Sequence, residues 1–295
     1  MEKKAKKKPF WQDRRYVPYL FIAPNMILFL GFMIIPLFMS FYYSTVKWNG
    51  LGDPKFIGLE NYVYIFTKDK VFLKSLGNTF LFSAMTVPVI MILALFFAIL
   101  LNEKFPLRGF ARSAIYLPAV VSTVAAGAVF NWLFQDQIGI INYLLSLVGV
   151  EAIKWTADPR YAMIMVAVAS IWQRTGYNMV IYLAGLQGIS TEVMEAAAID
   201  GCNGWQKFWH ITFPLLKSTH VFIFITCMIN AFRSFDLVYT MTKGGPLNST
   251  KTLVMYVYEQ AFSKNSFGRA SAAGVILFLI LFIFTIVRNR AEKED

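Results

Sequence analysis

Six apolar runs set apart by short polar clusters organise this 295-residue chain. They fall at about Val17 to Tyr43, Asn78 to Leu101, Ser113 to Phe134, Arg160 to about Leu186, about Leu215 to Tyr239 and about Gly268 to Val287. Each offers roughly the ~20 residues an α-helix needs to cross a hydrocarbon core of about 30 Å. The pattern predicts an all-α integral membrane protein with about six transmembrane helices. Pro24 and Pro36 predict bends in the first run, because proline removes a ladder donor and clashes with the carbonyl four residues back. Lys47 to Leu76 mixes both charges with Gly50, Gly52, Pro54 and Gly58, and reads as an exposed loop with a short surface helix near Leu59 to Phe66. Ala125-Ala126-Gly127-Ala128 in the third run lets another helix pack closely.

The longest polar and small-residue interruption of the second half runs from Ser190 to Leu216, and its punctuation is that of two helices laid end to end. Ser190 or Thr191 can cap the first, Glu192 and Glu195 suit the positive end of its dipole, and Gly201 supplies a left-handed stop. Asn203 restarts the chain, with Gln206 placed to complete a capping box, and Pro214 marks the entry to the fifth run. Ala196-Ala197-Ala198 leaves the first helix a face with almost no side-chain bulk, on which another protein's backbone can rest.

Composition agrees with the pattern: 57% of residues are hydrophobic and 15% charged, and the mean hydropathy of +0.53 is far from that of a soluble domain. The net charge of +11 is read as topology and not as a nucleic-acid footprint, because the cations cluster beside apolar runs and no groove-reading motif accompanies them. Lys3, Lys4, Lys6, Lys7, Lys8, Arg14 and Arg15 precede the first run, Lys104, Arg108 and Arg112 fill the Asn102 to Arg112 return, and Arg288, Arg290 and Lys293 follow the last. The positive-inside rule puts both termini and the Ser190 to Pro214 hairpin in the cytoplasm. The first apolar run is too long for a cleavable signal and is expected to stay as an anchor. Cys202 and Cys227 are not expected to bridge, and with His210 and His220 they show no metal spacing.

No Gly-x-x-x-x-Gly-Lys-Ser/Thr phosphate loop occurs, so the chain is expected to hydrolyse no ATP itself, to carry no catalytic residue and to bind no metal or cofactor. Charged groups inside spans are expensive and need an account. Arg174 lies beside Gln173, Tyr177 and Asn178 in a polar turn mid-way along the fourth run, which points to a cavity. Arg233 and Asp236 fall three apart on one helical face if the fifth run is continuous, and can pair with each other. With Asn230 they either face a polar substrate path or form a structural ion pair. No Asp or Glu sits mid-span to serve a secondary carrier, which with a non-transporting membrane scaffold is the alternative from a different class.

Glu195-Ala196-Ala197, Ala198, Asp200, Gly201, Ile211 and Pro214 resemble the EAA loop of the membrane subunits of bacterial ABC importers. Phe213 stands where that family usually has Leu. Tyr19-Leu-Phe-Ile-Ala-Pro24, Phe56-Ile-Gly58-Leu-Glu60-Asn61-Tyr62, Ile138-Gly139 through Asn142 to Leu145, and the string from Asn230 through Arg233, Asp236 and Gly244-Gly245-Pro246 to Phe262 resemble more narrowly the carbohydrate permeases of maltose and glycerol-3-phosphate type. The resemblance implies a non-catalytic type I importer permease in the cell membrane, paired with a second related permease. It also implies two ATPase subunits gripping the first hairpin helix, ATP used by those partners alone, and an extracytoplasmic binding protein. A sugar, oligosaccharide or polyol phosphate is the implied cargo, with another solute as the alternative within transport. The expected layout is a basic tail over 1–16, a first helix with its outer loop over 17–76, a five-helix core over 77–287 that includes the hairpin 190–216, and a tail over 288–295.

Overall fold

The computed structural model describes residues 17–103 and 105–291. The basic tail through Tyr16, Lys104 and Lys293 therefore lie outside the described residues. Helices α1 (Val17–Phe29) and α2 (Ile35–Ser44) are joined by a π-helical turn, Leu30–Ile34. A short antiparallel ribbon, β1 (Val46–Lys47) on β2 (Lys55–Phe56), pairs Val46 with Phe56 within a fold that is otherwise helical among the described residues, as expected. The surface helix α3 (Glu60–Thr67) lies within a residue of the expected Leu59 to Phe66. Next come α4 (Lys70–Asn102), α5 (Arg108–Val120), α6 (Thr123–Leu133), α7 (Ile140–Leu147) and α8 (Pro159–Gln187). The hairpin is α9 (Thr191–Ile199), α10 (Gly204–Lys207), a π turn over Phe208–Thr212 and α11 (Phe213–Leu215). Then follow α12 (Lys217–Phe232), α13 (Asp236–Thr242), α14 (Leu253–Tyr258) and α15 (Phe267–Ala291).

Two expected spans are not single rods. The run from Ser113 to Phe134 breaks at Val121-Ser122, where α5 and α6 meet at 96°, and the helices flanking Leu216 meet at 66°. The fifth run also stops at Phe232, so Arg233 and Asp236 lie on opposite sides of a break and not on one helical face. Hydropathy averaged over a span does not resolve such breaks, because the two or three polar residues at each are outweighed by the apolar residues on either side. In the first run the irregularity lies in the π turn Leu30–Ile34 just ahead of Pro36, the second residue of α2, while Pro24 lies inside the unbroken helix α1. The π turn Phe208–Thr212 likewise ends just before Pro214. Both follow from the absent N–H and bulky ring of proline, which push the preceding turn to a wider hydrogen-bond spacing.

Three helices among the described residues are long and apolar enough to cross a membrane, and five are if each bent pair counts as one span. The remaining expected span, the fourth run in α8, is long enough at 29 residues, roughly 43 Å. It carries too much polarity for a lipid-facing rod because it faces protein. Met165, Val166, Ala169, Met179 and Tyr182 on α8 pack with Phe82, Ile90 and Ala94 of α4 and with Ile223 and Cys227 of α12 in one apolar cluster. By contrast the most apolar window of Pro18–Ser44 has none of its length buried, as expected of a surface left to lipid or to a partner.

Small residues let the backbones meet at the centre. A Cβ on Gly176 of α8 would lie 2.0 Å from the Ile115 carbonyl oxygen of α5, and one on Gly127 of α6 would lie 3.0 Å from Thr240. The polar residues of α4 are also put to use. Asn78 donates to the carbonyls of Asn248 and Lys251 at 2.8 and 3.1 Å, and Thr79 accepts the Leu253 N–H at 2.8 Å, which folds the segment after α13 back onto α4. Arg112 donates to the Leu101 carbonyl at 2.8 Å, so this cation of the return segment caps the end of α4. Gly176→Val is expected to push α5 off α8 and lower the thermal unfolding midpoint of the purified protein by several degrees, whereas Gly77→Ala, where nothing lies within 4 Å, leaves it unchanged.

Candidate functional site

The hairpin between α8 and α12 is built almost wholly from its own capping residues. Ser190 Oγ accepts the Glu192 N–H at 3.2 Å and opens α9. At the other end Gly201 takes φ +77°, its N–H donates to Ala198 O at 3.2 Å, and the Cys202 N–H donates to Ala197 O at 3.0 Å. That pair of bonds is a Schellman motif, which glycine closes without strain. Asn203 and Gln206 then exchange reciprocal bonds of 2.9 Å each, a complete capping box at the start of α10. Two helices of nine and four residues hold their shape this way with little buried core.

Side-chain exposure decides what this hairpin can present. Glu195, Ala196, Ala198, Asp200, Gly201 and Pro214 are exposed, Ile211 is half-buried, and Ala197 is only 4% exposed. The free apolar stripe is therefore Val193, Ala196 and Ile199, spaced three apart, and not the continuous alanine run. Ile199 is 86% exposed and with Val193, at 42%, gives the stripe its apolar bulk. The three-residue spacing of Val193, Ala196 and Ile199 is the signal in the chain that points to this stripe.

The second group of candidates converges only in part. Arg174, Arg233 and Asp236 line one cavity of about 60 Å³ together with Thr123, Ser170, Gln173 and Ser234. It lies where the α5/α6 break and the α12/α13 break both face α8. Gln173 Nε2 donates to the Val121 carbonyl at 3.0 Å and to Thr123 Oγ1 at 3.3 Å, tying the first break to α8. Among the described residues no ion pair joins Arg233 to Asp236 and none neutralises Arg174. Asn178 is buried one turn further along, donating to the Arg174 carbonyl at 2.9 Å and accepting from Cys227 Sγ at 3.6 Å. Tyr177 is 48% exposed and turned away, and Asn230 does not reach the cavity. Gln173 lines the cavity beside Arg174, as the polar turn of the fourth run suggests, whereas Thr123 and Ser170 join it only through the fold, which brings the α5/α6 break against α8.

Asn142, in a segment that drew attention by resemblance, has a structural task. It donates to the carbonyls of Asp136 and Ile153 at 2.9 Å each and accepts from Ile153 N and Trp155 Nε1, stapling the loop after α6.

The family model described as "Binding-protein-dependent transport system inner membrane component" matches residues 68–293. The chain belongs to this family. This inner membrane component is similar to the lactose transport system permease protein LacF of Rhizobium radiobacter, 36% identical, with 94% of each chain covered. It is also similar to the sn-glycerol-3-phosphate transport system permease protein UgpA of Agrobacterium fabrum, 34% identical over 95% of this chain and 96% of the relative. The arabinooligosaccharides transport system permease protein AraP of Bacillus subtilis is 32% identical, over 96% and 92%. In structure it superposes on a chain of a bacterial ABC transporter involved in the import of the acidic polysaccharide alginate, with TM-score 0.82 at 21% identity, over 97% and 99% of the two chains. At that identity the match speaks for fold, and it agrees with a multi-pass inner membrane component.

Gly201→Ala is expected to cost about 1–2 kcal/mol in the left-handed position, and Asn203→Ala about 1 kcal/mol of capping. Hydrogen exchange should show α9 and α10 amides opening roughly tenfold more often in each variant, with exchange in α4 unchanged.

Proposed function

We propose that this chain forms one membrane-spanning half of an ATP-driven importer for a sugar, an oligosaccharide or a polyol phosphate. A second, related permease supplies the other half, and an extracytoplasmic binding protein delivers the cargo. Both termini and the hairpin lie in the cytoplasm, and ATP is bound and hydrolysed by two separate subunits. The observation that carries this reading is the hairpin: a self-capped helix with an exposed Val193, Ala196 and Ile199 stripe, which has a purpose only if another protein covers it. The lactose, arabinooligosaccharide and glycerol-3-phosphate labels of its relatives support the cargo class.

In this mechanism Glu195, Ala196, Ala198, Asp200 and Gly201 sit in the ATPase cleft, while the buried Ala197 and half-buried Ile211 hold the hairpin against the rest of the chain and the exposed Pro214 sets the start of α11. ATP-driven closure of the two ATPases moves the docked helices, and the spans attached to them switch between inward-open and outward-open arrangements. The substrate path runs past Arg174, Arg233 and Asp236, with Asn178 and Asn230 behind them. A cavity of about 60 Å³ admits a few waters and not a sugar ring, so the two broken helices must separate for cargo to pass. Irregular backbone at membrane depth is tolerated where it lines such a cavity.

Ile199→Asp places a charge in the centre of the docking stripe. Co-purification of the ATPase subunits from detergent should fall at least about tenfold, and uptake with it. Arg174→Ala should cut uptake without altering that co-purification. Binding of the ATPases undiminished by Ile199→Asp, or uptake that proceeds without ATP, would sink the reading.

A further inference from the structure

The elbow between α11 and α12 is bridged by one side chain. His220, on the first turn of α12, has Nε2 3.2 Å from the Phe213 carbonyl of α11 and Nδ1 2.9 Å from the Tyr182 hydroxyl of α8. The carbonyl can only accept, so in the neutral ring Nε2 carries the hydrogen and Tyr182 donates to Nδ1. Tyr182 is 1% exposed in the core, and Leu216, the hinge residue, is also 1% exposed. One turn on from Tyr182, a Cβ on Gly185 would lie 2.7 Å from Thr219 Oγ1 and 3.0 Å from Leu216 Cδ2, so α8 and the elbow are in backbone-close contact. A ladder of rings continues outward: His220 on Phe213 at 4.5 Å, Phe213 on Trp209 at 5.2 Å, and Trp209 on Trp205 at 5.6 Å.

Three elements thus meet on one imidazole: the end of the docking hairpin, the start of the next span, and the helix that carries Gln173 and Arg174. From Tyr182 to Arg174 is eight residues of α8, roughly 12 Å along the helix axis. We propose that His220 is a positioning residue for transport, fixing the elbow to α8 so that displacement of the hairpin reaches the cavity at Arg174 instead of being absorbed by bending at Leu216. This rests on the importer reading above. His220 touches neither cargo nor ATP in it. The role requires a donor and an acceptor on one rigid side chain, which is what separates it from simple packing.

The test uses the complete complex in liposomes, with cargo uptake and ATP hydrolysis measured together. Tyr182→Phe removes one bond and His220→Phe removes both while keeping a ring. Each should lower cargo moved per ATP by about fivefold to tenfold, the range expected when a hydrogen bond to a shared hinge is lost, with the ATPase subunits still bound. The double variant should be no worse than His220→Phe, since both changes break one link. His220→Gln, whose amide can donate to Phe213 and accept from Tyr182, should recover part of the ratio. An unchanged ratio in His220→Phe, or losses that multiply in the double variant, overturns the proposal while leaving the importer reading intact. Uptake by the unmodified complex that ignores ATP overturns both.

Discussion

A helix broken inside a membrane leaves backbone carbonyls that lipid cannot satisfy, and each must be met by a protein donor. That constraint organises this molecule. At the α5/α6 break the Val121 carbonyl receives Gln173 Nε2 at 3.0 Å. At the α12/α13 break the Ser234 carbonyl receives Thr252 Oγ1 at 2.9 Å, and at the α11/α12 elbow the Phe213 carbonyl receives His220 Nε2 at 3.2 Å. Each of these donors belongs to a different element from the carbonyl it meets, so every break is also a tie between helices. The 96° and 66° bends persist because those ties and the surrounding packing hold them.

The central helix can serve several ties at once because its neighbours come unusually near. Gly176 and Gly185 of α8 face α5 and α12 where a methyl group would collide with Ile115 O and Thr219 Oγ1 respectively. In a bilayer, association gains little from hydrophobic burial, since lipid tails are as apolar as leucine, and close backbone contact with interhelical hydrogen bonds supplies the rest. The polarity of α8 is the counterpart of this role. Gln173, Asn178 and Tyr182 would be costly against lipid, and all three are buried against protein.

How much of this could be read from residues alone follows from the range of the forces involved. The hairpin was legible because caps are local. Ser190, Gly201, Asn203 and Gln206 act within three or four residues of themselves, and all four bonds expected of them are made. The α3 surface helix, the C-terminal end of α4 and the start of α15 follow from hydropathy in the same way, whereas α4 starts at Lys70, eight residues ahead of its apolar run, because Asp69 caps it there. That Ala197 is the covered member of the alanine run is not legible, because an alanine gives no sign of which face it occupies. The breaks near Val121 and Arg233 are not legible in the same way, because Pro118 lies within α5, no glycine or proline marks the fifth run, and the few polar residues at each break, Ser122-Thr123 and Arg233-Ser234, are compatible with a continuous helix lining a cavity. The Arg233 to Asp236 pairing failed for the same reason, since a spacing of three brings side chains together only while the helix continues.

The cavity at Arg174, Arg233 and Asp236 and the elbow at His220 lie on the same face of the problem. Both are places where a broken helix rests against α8, and neither can shift without giving up a hydrogen bond to a carbonyl at the break. Packed interfaces of this kind have discrete arrangements and deform little between them. A movement applied at the hairpin is then either lost at Leu216 or delivered to α8 as a whole, and the buried Tyr182 hydroxyl, 2.9 Å from the imidazole, favours delivery. Since α8 also holds the α5/α6 break through Gln173, a shift of α8 relative to α5 would strain the tie at Val121, and the 60 Å³ cavity beside it is the space that such a shift would enlarge.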